Sequence, residues 1–298
     1  MHILIVGGAG FIGARLAALL LEAGHIVTVL DNLQTGRQEN LPPAVSFLSG
    51  DAADAAALEK AFVQPVDIVF YAVPAAPDDP QLQALTAVLQ AAETHGVQKV
   101  IYFSSAAVYG EIAKGTVTET QAPAPLGEEG KAYVAAENRL RDFGQKQGLA
   151  YAILRCANVY GDGAGSHGVM SELCRNLLLG RDLVIYGDGN QSRDFVYVQD
   201  VARAAVQAMA ESVADGVYNI STNIETTVNA LKEILLYFSH LAAAVSYAEA
   251  KDGEVYRSVL DNRKAIAALN WRPKTKLMPG IMATYQYFLT QLEKGALT

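Results

Sequence analysis

Apolar residues fall in short unbroken runs bounded by turn residues, at His2–Val6, His25–Leu30, Val45–Leu48, Asp67–Tyr71, Lys99–Phe103 and Tyr151–Leu154. Runs of this length without polar alternation suit strands covered on both faces, as in a parallel sheet. Between them, apolar positions recur at the spacing of one helix face over Phe11–Ala23, Ala53–Phe62, Gln81–Thr94 and Lys131–Gln147. This alternation predicts an α/β fold, a Rossmann-like doubly wound parallel sheet with helices on both sides. Past Asn158 the pattern loosens into glycine-rich turns at Gly161–Gly168 and Gly187–Gly189. Two organisations fit that change. One is a smaller C-terminal substrate-binding lobe, which divides the chain into 1–157 with 192–220 and 158–191 with 221–298. The other is a single continuous domain with long loops.

Composition narrows the class. The 298 residues are 51% hydrophobic and 18% charged, with 25 Gly and 10 Pro, which excludes a disordered or collagen-like chain. The two cysteines, Cys156 and Cys174, form no CxxC pair, so neither a disulfide framework nor a metal site is expected, and a reducing, cytoplasmic setting fits best. Lys and Arg number 23 against 31 Asp and Glu, a formal net charge of −8, which offers no basic field to nucleic acid or anionic lipid. The apolar stretches Leu16–Leu21 and Ile234–Tyr247 fall short of the ~20 residues of a membrane span. The opening MHILIVGGAG reads as a first strand rather than a signal peptide. His25, His95 and His167 have no partner at ligand spacing and are expected at the surface.

Gly7-Gly8-Ala9-Gly10-Phe11-Ile12-Gly13 follows the first strand and opens the first helix. In that context Gly7 or Gly8 permits a tight turn, Gly10 lets backbone approach a diphosphate, and Gly13 allows close packing of helix on strand. The unpaired N–H groups of a helix starting near Phe11 would hold the phosphates. Asp31 ends the second strand, about 20 residues on, where a carboxylate accepts from both ribose hydroxyls and repels a 2′-phosphate, so NAD is expected as cofactor. The competing reading makes Arg37 a clamp for that phosphate. Asp51 suits the adenine edge, or else caps the helix beginning near Ala53.

Further motifs follow in order: Asp31-Asn32-Leu33, Gly50-Asp51, Phe103-Ser104-Ser105-Ala106-Ala107-Val108-Tyr109-Gly110, Asn158-Val159-Tyr160-Gly161, Gly187-Asp188-Gly189 through Arg193-Asp194-Phe195, and Asn270-Trp271-Arg272-Pro273. Together with GGAGFIG they resemble the extended short-chain dehydrogenase/reductase superfamily, in its NAD-dependent nucleotide-sugar epimerase/dehydratase branch of the UDP-glucose 4-epimerase type. The resemblance covers nearly the whole chain. It implies an NAD lobe, a smaller lobe for a nucleoside diphosphate sugar (a UDP-sugar foremost), and a homodimer formed through the helices at Gln81–Thr94 and Lys131–Gln147. By the same resemblance Asn32, Ala52 and Ala72-Val73-Pro74 line the cofactor, Ser105 orients the sugar hydroxyl, and Asn158, Arg193 and Lys251 contact the diphosphate. Alanines at 106 and 107 stand where the branch's dehydratases carry an Asp-Glu pair, and alanine moves no proton.

The chain departs from the superfamily at its Tyr-x-x-x-Lys pair. A gap-free register puts Glu129 at the tyrosine position and Tyr133 at the lysine position. A second register puts Tyr133 at the tyrosine position and Glu137 at the lysine position. Lysine is absent in both. A Glu129 base would need burial to raise it, and Tyr133 without a neighbouring ammonium would stay protonated. The expectation is an NAD-dependent nucleotide-sugar epimerase or oxidoreductase using Ser105, Glu129 and Tyr133, the alternative a paralogue that binds both ligands without turnover.

Overall fold

Strands whose side chains are buried on both faces assemble the centre of the molecule. A computed structural model describes residues 1–76, 79–163, 168–250 and 253–297. The first half of the chain runs β1 (His2–Val6), α1 (Phe11–Glu22), β2 (Ile26–Asp31), β3 (Ser46–Ser49), α2 (Ala55–Ala61), β4 (Ile68–Tyr71), α3 (Asp79–Thr94), β5 (Lys99–Ser105), α4 (Glu128–Gln147) and β6 (Ala150–Cys156). The second half runs β7 (Asn158–Tyr160), α5 (Val169–Leu178), β8 (Leu183–Tyr186), β9 (Ser192–Tyr197), α6 (Val198–Ala208), β10 (Gly216–Ile220), β11 (Glu225–Thr227), α7 (Val228–Ser239), β12 (Val245–Ala248), β13 (Arg257–Ser258), α8 (Arg263–Ala268) and α9 (Leu277–Glu293). α2 begins two residues later than the apolar spacing predicts, because Asp54 accepts the Ala56 N–H at 2.9 Å and caps it.

The large sheet has the order β10-β6-β5-β4-β1-β2-β3, with every pair parallel. The chain winds outward from β1 to β3 and then returns to β4 on the other side of β1. That reversal opens a crevice beyond the carboxyl ends of β1 and β4, the place where open α/β sheets hold ligands. Val6 and Tyr71 are register partners there, so the segments leaving them, Gly7 onward and Ala72 onward, face each other across the crevice.

A second sheet joins β11, β9 and β13, with β7 alongside β9, and β12 pairs with β8. Around it lies a separate core of Tyr160, Leu173, Phe195, Leu231, Ile281 and Phe288, among others. The stretch 192–220 is shared between the two sheets: β9 belongs to the small one and β10 to the large one. Leu260, Ala265, Leu269 and Trp271, far along the chain, pack into the large core. Two crossings between the sheets are abrupt. Only Ala157 separates β6 from β7, and Tyr197 of β9 leads straight into Val198 of α6.

Candidate active site

The glycine turn after β1 fits a dinucleotide. Gly7 has φ +77°, and a Cβ there would come within 2.9 Å of the Ala72 carbonyl carbon across the crevice. A Cβ on Gly13 would fall 2.6 Å from the Gly8 Cα, so only glycine lets α1 sit this close to the turn. Gly10 is the N-cap of α1 and no side chain caps the helix, which leaves its first N–H groups for a diphosphate. Asp31 is buried, accepting from the Ala9 N–H at 2.9 Å and the Leu33 N–H at 2.8 Å. Those bonds fix the carboxylate beside the turn. They also hold Leu33 at φ 59°, which side-chain-bearing residues rarely adopt.

Asp51 Oδ1 accepts from Ala53 N–H at 2.8 Å, and its Oδ2 accepts from the Asn32 amide at 2.9 Å. It therefore ties the ends of β2 and β3 together, while the cap of α2 is Asp54. Ala52 is buried beside it. Arg37 is exposed, and the backbone it sits on donates to Ala9 O at 3.1 Å. Replacing Asp31 with alanine is expected to weaken NAD affinity about 10- to 100-fold, the loss of hydrogen bonds to a charged acceptor, as titration calorimetry would read it.

Beside the turn lies a cleft of about 460 Å³, whose lining includes Ile12, Ala72, Val73, Pro74, Ser105, Glu129, Tyr133, Asn158 and Arg193. β5 delivers Ser105 to it, and the Ser105 hydroxyl accepts the Ala107 N–H at 3.1 Å to start a 3-10 turn over Ala106–Tyr109. α4 presses on that turn. A Cβ at Gly130 would stand 2.5 Å from Ala107 O, so the glycine is what lets the helix start against the serine turn and bring Glu129 and Tyr133 beside it.

Glu129 is exposed in the first turn of α4, so the buried setting expected for it is not found. Water and the cleft surround its carboxylate instead. Tyr133 is 9% exposed. Burial, the Glu129 charge and Cys156 together push its phenol above the ordinary value, against a hydrogen bond from the Ala75 backbone, so it is a neutral donor at physiological pH. On the opposite wall, Asn158 is exposed at the start of β7. Arg193 Nη1 donates to Ser192 O at 2.9 Å and Tyr256 O at 3.1 Å, and Nη2 lies 3.4 Å from Glu254 Oε1. Burial lowers its guanidinium pKa while Glu254 and Glu111 oppose the change. Lys251 and His167 lie outside the described residues.

The residues from 3 to 221 match the model of the NAD-dependent epimerase/dehydratase family. The chain belongs to this family. A putative UDP-glucose 4-epimerase of Methanocaldococcus jannaschii is 35% identical over 294 residues, 94% of this chain and 95% of that protein. Among solved structures, the UDP-glucose 4-epimerase of Thermotoga maritima with UDP-glucose superposes with a TM-score of 0.94 at 35% identity, covering 98% of this chain and 100% of the other. The Thermus thermophilus UDP-glucose 4-epimerase in complex with NAD gives 0.91 at 34% identity, covering 97% and 99%.

Within this epimerase/dehydratase fold, several groups at the site escaped the sequence reading. Ser104, Cys156 and Ser258 line the cleft, and Glu254 faces Arg193. Asp162 pairs with Arg15 of α1 and accepts from the Tyr197 hydroxyl at 2.7 Å. This three-residue link joins the helix that begins at the glycine turn to the loop after β7. Arg15 and Asp162 stand 147 positions apart, so no local spacing announces their pairing.

Proposed function

We propose that this chain is an NAD-dependent epimerase acting on a nucleoside diphosphate sugar, a UDP-sugar foremost, through a transient keto sugar. The observation that carries this is the single cleft in which Ser105, Glu129 and Tyr133 from the large sheet's side meet Asn158 and Arg193 from the small sheet's side. Bound at the glycine turn, NAD supplies two-electron redox chemistry by taking up and returning a hydride. Ser105 hydrogen-bonds and orients the reacting hydroxyl. Glu129 has no burial to strengthen it as a base, so it takes the hydroxyl proton as the hydride leaves, when the oxygen of the forming carbonyl is strongly acidic, and gives it back on reduction, while Tyr133 donates a hydrogen bond to the same oxygen. Asn158 supplies an amide donor and Arg193 a cation to the diphosphate, a pairing suited to a planar guanidinium. Alanine at 106 and 107 offers no group for eliminating water, which supports epimerisation over dehydration.

The same proposal takes the protein as a cytoplasmic homodimer paired through α3 and α4. Its support is the free, buried Cys156 and Cys174 and the small residues Ala87, Ala91 and Ala135 along those two helices.

Incubating the protein and NAD with UDP-glucose or UDP-galactose tests the activity. Sustained interconversion, followed by chromatography, is expected. Binding of both ligands without turnover assigns a binding paralogue, and consumption of added NADH assigns a reductase. Because Tyr133 stays protonated, the rate is not expected to climb between about pH 7 and 9, as it would if a tyrosinate of ordinary pKa near 10 were the base.

A further inference from the structure

On the other side of the Val73–Pro74 stretch, between α3, α4 and the ends of β4 and β5, lies a second cavity of about 250 Å³. Its walls are mainly apolar, with Leu82 and Leu85 from α3 and Ala132 and Ala135 from α4. Two polar residues line it with unmet hydrogen-bonding capacity. Among the described residues the Tyr102 hydroxyl, on a residue 1% exposed, has no partner, and neither has the buried Oε1 of Gln81. The neighbouring Tyr71 is different, because its hydroxyl reaches the Gln81 backbone O at 3.4 Å. A buried polar group left unpaired costs about 1–3 kcal/mol, and two beside one apolar cavity, a donor and an acceptor, describe the complement of a ligand.

The chemistry of that ligand follows. A cavity of about 150 Å³ with apolar walls takes a benzene ring, so this one has room for a substituted ring. The ring must carry neutral polar groups that accept from Tyr102 and donate to Gln81, roles that a phenolic hydroxyl combines. Lys131 and Glu128 stand on the exposed side of the lining, paired with each other at 2.5 Å, and burial holds Tyr102 neutral, so the buried end of the cavity offers a ligand no charge. We propose that this cavity is a second binding site, distinct from the cleft, for a neutral phenol-type aromatic molecule held by Tyr102 and Gln81.

Titrating phenol and toluene into the protein by calorimetry, with crystals soaked in each, tests the site. Phenol is expected to bind saturably at one site, about 10- to 100-fold more tightly than toluene, the worth of two hydrogen bonds. Tyr102→Phe should weaken phenol about tenfold and leave toluene unchanged, Ala132→Phe should block both, and saturating UDP-glucose should displace neither. Equal affinities of phenol and toluene, no saturable binding, or water alone in the soaked cavity overturns the site. So does displacement of phenol by UDP-glucose, which places it in the cleft. None of these outcomes depends on the epimerase activity, so the two proposals fail separately.

Discussion

Glu129→Gln is expected to cut turnover by about 10²- to 10⁴-fold, the usual contribution of a positioned acid/base group, while leaving NAD and UDP-sugar affinity near their starting values. The amide keeps the shape and the hydrogen-bonding length of the side chain but cannot take a proton. Glu129 is exposed in the first turn of α4, so the substitution leaves the core untouched and a loss of rate reads directly on chemistry. Tyr133→Phe supplies the comparison. Its phenol stays protonated and gives only a hydrogen bond, so this variant should lose about tenfold rather than several orders of magnitude. Single-turnover kinetics with saturating substrate would measure both. Unchanged turnover in Glu129→Gln removes that residue from the proton path and shifts the role to another group in the cleft.

Glu137→Leu is expected to destabilise the fold by about 3–5 kcal/mol, as a lower urea midpoint with unchanged slope. Glu137 is fully buried and takes four hydrogen bonds: Ser104 Oγ at 2.7 Å, Arg155 Nε at 2.8 Å and Nη2 at 2.6 Å, and Arg141 Nη2 at 2.8 Å. Arg155 is 1% exposed and stacks over the Tyr109 ring at 4.6 Å. Burial alone would pull the guanidinium pKa down, and the hydrogen bonds and charge of Glu137 more than offset it. Removing the carboxylate leaves a cation enclosed without its anion, which is the source of the cost. The double variant Glu137→Leu/Arg155→Leu removes both charges and should recover much of the loss. If the double variant is as unstable as the single, packing rather than the unpaired charge sets the penalty. The pair also fastens α4 to β5 and β6 directly beneath the serine turn, so the single variant should lower turnover as well.

The parts of this molecule that sequence reveals are those set by local rules. β1 runs over His2–Val6 as its apolar run predicts, and the other five strands of the first half differ by only a residue or two at their ends, because burial on both faces writes an unbroken apolar run. The glycine turn is legible because backbone geometry there admits no Cβ. α2 starts later than its periodicity because Asp54 claims its first amides, and capping is a contest between neighbouring carboxylates that apolar spacing does not record. The small sheet is harder. β9 looks like any strand of the large sheet until its partners, β7, β11 and β13, are known. At the cleft, the family resemblance pointed to Ser105, Glu129 and Arg193, but the exposure of Glu129 depends on how α4 meets the turn at Gly130. The Glu137 and Arg155 partnership spans 18 positions and two elements, and the two orphaned polar groups behind α4 are defined only by what fails to touch them.

The abrupt splices at Ala157 and at Tyr197–Val198 bear on how a sugar nucleotide comes and goes. A clamshell needs slack chain at its pivot, and here two of the strands crossing between the halves have one spare residue or none. The halves are thereby braced like two plates of one bracket. Arrival and escape of cargo then fall to the segments that rim the opening, Leu126–Gly127 on one bank and Gly253–Val255 on the other.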